Sequence, residues 1–175
     1  IVSRDWSSDV CSSDLEQADH AGVARLITTI QQKEFFIPIT YAEQPDLHDI
    51  PASYRCGVGE FWVARASDIV VGSVALIGIG NRQGALRKMF VDRDWRGAAH
   101  GGVATKLLET LLAFAAKNEI DEIFLGTTAA FAAAHRFYRK HGFAEIAADA
   151  LPPAFPRMRV DTMFFRRGQL GRTIH

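Results

Sequence analysis

The sequence predicts an α/β fold, a single domain in which helices flank a mixed, mostly antiparallel sheet. Two apolar stretches, residues 60–65 and 69–77, are separated only by Ala-Ser-Asp, which is the pattern of a β-hairpin. Farther along, segments with strand and helix periodicity alternate in the order strand, helix, strand, helix, strand. The length of 175 residues suits one domain with its own core.

The helix before the hairpin is predicted over residues 19–34, with Asp19 as its N-cap. Apolar side chains recur there with the i, i+3, i+4, i+7 spacing of one helix face. They are Val23, Leu26, Ile27 and Ile30. Residues 35–59 contain three prolines and predict a loop with one short helix.

After the hairpin, residues 78–84 contain three glycines and predict a turn, and residues 85–91 predict a third strand. A long helix is predicted to begin at Val103 and to end near Asn118. Its apolar positions are Val103, Leu107, Leu108, Leu111, Leu112 and Ala115. A strand, a helix that Gly142 ends at the C′ position, and two more strands complete the chain. They are predicted over residues 122–128, 131–141, 143–147 and 163–167.

Charge and cysteine content exclude several classes of protein. Lys and Arg number 20 and balance 20 Asp and Glu, so no net positive charge is available for a nucleic-acid backbone. No apolar run approaches the roughly 20 residues that cross a bilayer. Cys11 and Cys56 form neither a disulfide framework nor a zinc motif. We expect a cytoplasmic protein, monomer or homodimer, without a metal, a nucleic-acid partner or a membrane.

Residues 1–15 are predicted to be a leader outside the domain, which then covers residues 16–170. Residues 7–15 contain a doubled Ser-Ser-Asp unit. The run resembles a translated sequencing adapter, and a short linker is the alternative interpretation. Ser and Asp are poor strand formers, so the segment is left out of functional reasoning. A native first strand at this place would have been replaced or truncated.

The loop between the third strand and the long helix is the most informative segment. N–H groups that open a helix are unpaired and lie at the positive end of its dipole, so they bind anions. Gly101 and Gly102 would let a phosphate approach the backbone, or they could form only a tight turn. Gly97 and Gly102 have GxxxxG spacing, but Val103 and Ala104 follow it. A nucleoside triphosphate P-loop is therefore disfavoured.

With a second motif, Phe-Tyr-Arg-Lys-His-Gly-Phe at residues 137–143, this loop resembles the GNAT superfamily of N-acetyltransferases. The likeness covers residues 16–167, and the two motifs together are more specific than either alone. It implies a sheet whose central strands splay around an acyl-CoA. It also implies transfer of an acetyl group from acetyl-CoA to a primary amine of a small molecule or peptide.

The resemblance also assigns roles to residues. In the family, the amides that open the long helix hold the CoA pyrophosphate, and the preceding strand pairs with the pantetheine arm and polarises the thioester carbonyl through a backbone N–H. The cofactor-binding residues implied here are Met89, Phe90, Val91, Arg96, Gly97, Gly101, Gly102, Val103, Ala104, Thr105 and Lys106. Tyr138 would be the general acid that protonates the leaving thiolate. Arg96 would contact a CoA phosphate or simply be exposed.

Two positions depart from the family pattern. Ala99 stands where the family has Gln or Arg, because the loop is a few residues longer, and Ala85 stands where a Glu often helps to deprotonate the amine. The alternative function is therefore a non-catalytic acyl-CoA-binding module, and a structural or regulatory domain is a further alternative. Residues 35–59 and 148–160, which are expected to line the acceptor pocket, carry no motif that names the acceptor.

Five other polar residues have a functional and a structural interpretation each. Glu43, Asp46 and Asp49 could attract a cationic amine or belong to an ordinary polar loop. Asp92 could act as a base or cap a turn. His135 could relay protons or pack in the interior.

Overall fold

The computed structural model describes residues 15–168, apart from the side chain of His100. Residues 1–14 of the predicted leader and residues 169–170 of the predicted domain lie outside this range. Leu15, the last residue of the predicted leader, lies within it and is buried in the hydrophobic core.

Within residues 15–168, six strands form one open sheet in the order β1-β2-β3-β4-β6-β5. The strands are β1 (Gly59–Ala66), β2 (Ile69–Gly80), β3 (Gln83–Val91), β4 (Glu122–Thr127), β5 (Ala144–Ile146) and β6 (Met163–Arg167). Neighbouring strands of this sheet are antiparallel, except that β3 and β4 are parallel. The predicted α/β fold with a mostly antiparallel sheet is confirmed.

The described part of the chain also contains four α-helices, which accompany the sheet. They are α1 (His20–Thr28), α2 (Ile50–Tyr54), α3 (Val103–Lys117) and α4 (Ala132–Lys140). The first predicted helix is right in extent, but its second half, Thr29–Glu34, is π-helical. Asp19 stands at the N-cap of α1 without capping it through its side chain. Its buried carboxylate instead accepts the Glu16 N–H at 2.8 Å and pairs with Arg65, because a buried charge needs a charged partner.

The turn between β2 and β3 is shorter than residues 78–84. The two strands remain paired as far as Gly80 and Gln83, so the connection consists only of Asn81 and Arg82, with φ of 51° and 58°. Positive φ at both central residues is the geometry of a two-residue hairpin turn. The prediction of a longer turn was wrong because a glycine keeps both backbone hydrogen-bonding groups and can remain in a ladder.

Gly142 ends α4 as predicted. It has φ of 84°, its N–H donates to the Arg139 carbonyl at 3.1 Å, and the Phe143 N–H donates to the Tyr138 carbonyl at 3.0 Å. These two bonds form a Schellman motif, which satisfies the last carbonyls of the helix. The motif fixes the turn of α4 that carries Tyr138.

The sheet separates two apolar layers because successive residues of a strand face opposite sides. On β1, Trp62 belongs to the layer of α3 with Leu107 and Leu111, whereas Phe61 belongs to the layer of α1 with Ile27. All five side chains are essentially inaccessible to solvent. Within residues 15–168, no helix has the length and apolar character needed to cross a membrane.

The sheet opens at its centre. The parallel ladder between β3 and β4 contains three residue pairs, from Gln83 opposite Glu122 to Ala85 opposite Phe124. Both strands continue beyond this fork, β3 to Val91 and β4 to Thr127. The splay expected of the central strands is therefore present, and it creates the site described next.

Candidate active site

A cavity of about 350 Å³ fills the gap between the two diverging strands. One wall is β3 from Leu86 to Val91, and the other comprises Gly126–Thr128 with the α4 residues Phe137 and Tyr138. Phe35 and the segment that precedes β6 close its remaining sides. The expectation that residues 35–59 and 148–160 contribute to this pocket is met by Phe35 and by Phe155, Met158 and Val160.

The β3 wall contains a β-bulge. Two residues of β3, Lys88 and Met89, oppose the single residue Val74 of β2, and Lys88 has φ of 52°. The buried Ser73 hydroxyl donates to the Lys88 carbonyl at 2.7 Å and holds the bulge in place. A bulge takes one residue out of the regular ladder and re-aims its backbone groups, here at the edge of the cavity.

The glycine loop is a few residues longer than the family pattern, and its additional length forms a 3-10 turn, Ala98–His100. Gly97, Gly101 and Gly102 flank this turn with φ of 85°, 73° and 67°, values that residues with a side chain rarely adopt. Gly102 is the N-cap of α3, and no side chain caps that helix. The first N–H groups of a 15-residue helix are thus available to an anion.

The structure separates the predicted cofactor-binding residues into two groups. Met89, Phe90, Val91, Arg96, Gly97 and Ala104 line the cavity. Gly101, Gly102, Val103, Thr105 and Lys106 form the adjacent end of the loop and the first turn of α3, outside the cavity lining. Arg96 forms a two-pronged ion pair with Glu34, and its Nε donates to the Val91 carbonyl at 2.9 Å. The Arg96 guanidinium therefore links the π-helical segment Thr29–Glu34 to the C-terminal end of β3.

Tyr138, the predicted acid, lines the cavity and is 5% exposed. Its ring packs against Phe137, Phe143 and Phe165. Among the described residues its hydroxyl has no hydrogen-bond partner, and burial raises the pKa of the phenol above its usual value. The phenol therefore keeps its proton at neutral pH.

A buried polar cluster supports the β3 wall. The ammonium of Lys88, which is 6% exposed, lies 3.2 Å from an Asp46 carboxylate oxygen and donates to Gln44 Oε1 at 2.8 Å. Asp46 also accepts the hydroxyl of Tyr54. Desolvation lowers the pKa of Lys88, and the attraction of Asp46 opposes that shift. Sequence reasoning missed Lys88, because a lysine on a strand gives no sign of burial.

The segment before β6 brings a second missed residue, Asp161, to the opposite wall. Its Oδ2 accepts the Met158 N–H at 2.9 Å and lies so close to Gly126 that a Cβ there would be 2.5 Å away. Thr128 lines the same cavity, and its hydroxyl oxygen is buried without a hydrogen-bond partner between residues 15 and 168. No motif marks Asp161 or Thr128; only the placement of residues 148–160 at the pocket pointed to this region.

The other polar candidates have structural partners. Glu43 accepts the Thr40 N–H at 2.8 Å and pairs with Arg159, while Asp49 caps α2 by accepting the Ala52 N–H at 3.1 Å. Asp92 accepts the Asp94 N–H at 2.9 Å, and the His135 Nε2 lies 2.8 Å from the Thr128 carbonyl. The structural interpretation therefore accounts for each of them. The described residues also contain no group of three or more Asp, Glu, His or Cys placed to hold a metal ion.

Comparisons with known proteins identify the family to which this fold belongs. A family model described as "Acetyltransferase (GNAT) domain" matches residues 57–145. The crystal structure of a GNAT-family acetyltransferase from Staphylococcus aureus Mu50 has a TM-score of 0.84 at 35% identity, covering 89% of this chain and 96% of that one. The chain belongs to the GNAT superfamily of acetyltransferases.

Two other similar proteins have more specific names. The N-acetylaspartate synthetase of Xenopus tropicalis is 35% identical over 131 residues, which are 71% of this chain and 46% of that protein. This chain thus spans about half the length of that relative. The N-acetylglutamate synthase of Neisseria gonorrhoeae, solved with coenzyme A and N-acetyl-glutamate, has the same fold with a TM-score of 0.67 at 16% identity, covering 93% of this chain and 35% of that one.

Proposed function

We propose that this chain is an N-acetyltransferase that moves the acetyl group of acetyl-CoA to a primary amine. The observation that carries the proposal is the cavity in the gap between β3 and β4, whose lining includes Tyr138 and, from the first turn of α3, Ala104. A phosphate site at the start of α3 would therefore adjoin the cavity that contains the proton donor. When bound, acetyl-CoA supplies an acetyl group activated as a thioester.

The residues along the gap fit acetyl-CoA. Because the ladder with β4 stops at Ala85, the edge of β3 from Leu86 to Val91 offers backbone groups to the amides of a pantetheine arm. Met89, Phe90 and Val91 would hold that arm. The loop and the first turn of α3, residues 97 and 101–106, would hold the pyrophosphate, chiefly through backbone N–H groups. Gly101 and Lys106 already donate their N–H groups to the carbonyls of Ala98 and Gly102, so the N–H groups of the other residues would contact the phosphates. Arg96 would shape the entrance, because its guanidinium is already paired with Glu34.

Tyr138 would protonate the sulfur that leaves. Negative charge grows on that atom as the C–S bond breaks, and a nearby phenol stabilises it most at that moment. The hydroxyl suits this role because the protein gives it no competing hydrogen bond and burial keeps it protonated.

The acceptor would be a small amino acid with an acidic side chain. The cavity lining carries charges of both signs, Arg87 and Lys88 on one wall and Asp161 on the other. The two cations already have partners within the protein, so they would favour the carboxylates of an acceptor through their field rather than by direct pairing, while Asp161 would attract its ammonium. The name of the Xenopus relative supports the same class. L-Aspartate is therefore the first acceptor to use.

The test combines acetyl-CoA binding with thiol release. Calorimetry measures the Kd of acetyl-CoA for the parent protein and for Ala104→Glu, and a thiol reagent follows turnover with L-aspartate. A carboxylate at Ala104, in the first turn of α3, should weaken acetyl-CoA binding by about tenfold or more through repulsion of the phosphates. The fold should persist, because the helix dipole favours a negative charge there.

Ala113→Glu is the matched control, since it places the same charge on the exposed face of α3 away from the cavity. Its Kd should equal that of the parent. A parent that binds acetyl-CoA but acetylates neither L-aspartate nor any amine of a wider panel would be the non-catalytic binding module. A parent that does not bind acetyl-CoA would refute both functions.

A further inference from the structure

Deprotonation of the acceptor needs a base that the glycine loop and Tyr138 do not provide. An alkyl ammonium has a pKa near 10, so most of the acceptor arrives protonated at neutral pH. Ala85 occupies the position where a glutamate was expected to help, and its methyl group cannot accept a proton. Of the described residues that line the cavity, Asp161 is the single carboxylate, and none is a histidine.

We propose that Asp161 is the general base of the transfer and that the Thr128 hydroxyl orients the amine beside it. This inference rests on the proposed function. Both residues line the cavity, and both are more than nine-tenths buried, with exposures of 9% and 8%. Among the described residues the Thr128 hydroxyl has no hydrogen-bond partner, which is costly for a buried group unless a ligand satisfies it, and one carboxylate oxygen of Asp161 has no donor.

The contacts of Asp161 leave one carboxylate oxygen free. Oδ2 accepts the Met158 N–H at 2.9 Å, whereas Oδ1 has no donor among the described residues. Asp161 forms no ion pair within 4 Å with any residue between 15 and 168. The positive charges that act on Asp161 have other contacts: Arg87 donates to the Pro156 carbonyl at 2.6 Å, Lys88 pairs with Asp46, and the Arg157 guanidinium lies over the Phe164 ring.

The electrostatic surroundings make this carboxylate a better base than an exposed one. Burial raises the pKa of Asp161, and the Met158 N–H together with Arg87, Arg157 and Lys88 offsets only part of that increase. Gly126 contributes by its missing side chain, because a Cβ would lie 2.5 Å from Oδ2 and would displace the carboxylate from the wall.

The proton balance assigns one proton to each group. Asp161 takes a proton from the ammonium, and the neutral nitrogen then attacks the acetyl carbon as the C–N bond forms. The C–S bond breaks, and Tyr138 gives its proton to the sulfur. The second proton released by the nitrogen restores the Tyr138 phenol, and Asp161 returns its proton to solvent. The net products are the amide, the free thiol and one proton.

Asp161→Asn tests the base because it keeps the shape of the side chain and an oxygen for the Met158 N–H. We expect kcat/KM for L-aspartate to fall by about 100-fold or more at neutral pH. The deficit should shrink as the pH rises towards the pKa of the amine, since free amine then needs no base. Asp149→Asn is the control, because it alters an exposed carboxylate in the same connecting segment. Its kcat/KM should match that of the parent at every pH.

Thermal stability separates catalysis from a structural role. The folded pKa of Asp161 is raised, so its contribution to stability is present below the unfolded pKa and is lost as the pH rises through the folded pKa. At any pH above the unfolded pKa the raised pKa therefore costs stability, and at neutral pH Asp161→Asn should have a Tm equal to or above that of the parent. A lower Tm with a rate deficit that does not change with pH would overturn the proposal.

A binding measurement keeps the inference testable if the parent does not turn over. Calorimetry on the CoA complex compares L-aspartate with N-acetyl-L-aspartate, which lacks the ammonium. Asp161→Asn should raise the Kd of L-aspartate about tenfold and leave the Kd of N-acetyl-L-aspartate unchanged. Equal affinities of both variants for L-aspartate, or failure of the parent to bind it, would refute the role of Asp161. If Asp161→Asn weakens the binding of L-aspartate but not of N-acetyl-L-aspartate, and the parent shows no turnover, only the enzymatic function would be refuted.

Discussion

The two walls of the cavity differ in how their polar groups are satisfied. On the β3 wall, Lys88 has Asp46 and Gln44 as partners, and the bulge carbonyl accepts a bond from Ser73. On the opposite wall, the hydroxyls of Thr128 and Tyr138 have no partner between residues 15 and 168. One wall is thus internally complete, and the other still has polar groups to offer.

The difference separates groups that build the site from groups that can act in it. A buried polar group without a partner costs about 1–3 kcal/mol, so a fold that gained nothing from such groups would be expected to pair them. On the β3 wall the polar groups are paired within the protein, and this pairing supports the strand that borders the gap. The predictions below test whether changes on the first wall affect stability and changes on the second affect turnover.

The largest effect is expected from Lys88→Met. Loss of the ammonium removes the ion-pair partner 3.2 Å from Asp46 and a donor to Gln44, while Asp46 keeps the Tyr54 hydroxyl and the more distant Arg87. The free energy of unfolding should therefore fall by about 3 kcal/mol, the lower end for a broken buried pair. For a chain of this size that corresponds to a Tm lower by roughly 6–12 °C, measurable by differential scanning calorimetry. Lys117→Met removes an exposed lysine at the end of α3 and should change stability by no more than about 0.5 kcal/mol. Similar Tm values for the two variants would contradict a supporting role of the cluster.

Tyr138→Phe should reduce kcat by about 100-fold or more, because it removes the proposed acid and keeps the ring. The Kd of acetyl-CoA and the Tm should stay near the parent values, since the hydroxyl has no partner in the described residues. Steady-state kinetics and calorimetry provide the measurements. Tyr41→Phe alters an exposed tyrosine and should leave all three quantities unchanged. A near-parent kcat for Tyr138→Phe would mean that water or another group protonates the thiolate.

The smallest effect on stability is expected from Thr128→Val. It replaces an unsatisfied buried hydroxyl by a methyl group, so the free energy of unfolding should stay constant or rise by up to about 1 kcal/mol. Ser73→Ala on the other wall is its counterpart, because it removes a satisfied hydroxyl and should cost about 1–3 kcal/mol. Urea unfolding of both variants gives the comparison. A larger loss for Thr128→Val than for Ser73→Ala would reverse the distinction between the walls.

Much of the fold follows from short-range pattern. The spacing of Leu107, Leu108 and Leu111 predicts α3, and the position of Gly142 predicts the end of α4 because a left-handed residue there completes a local motif. The wrong prediction for Asp19 concerns a residue whose partner lies far away in the chain. Asp19 does not cap α1 because Arg65, far away in the chain, offers its buried carboxylate a stronger partner.

The sequence by itself determined most of the strands and helices, where the glycine loop meets α3, and that a tyrosine stands in the last turn of α4. Those features depend on neighbours within a few residues, whose spacing can be read directly. Only the tertiary structure decided that Asp161 lies against Gly126 and that Lys88 meets Asp46. Their contacts arise where the sheet splays, so burial and the order of the strands, which no local spacing encodes, select the partners.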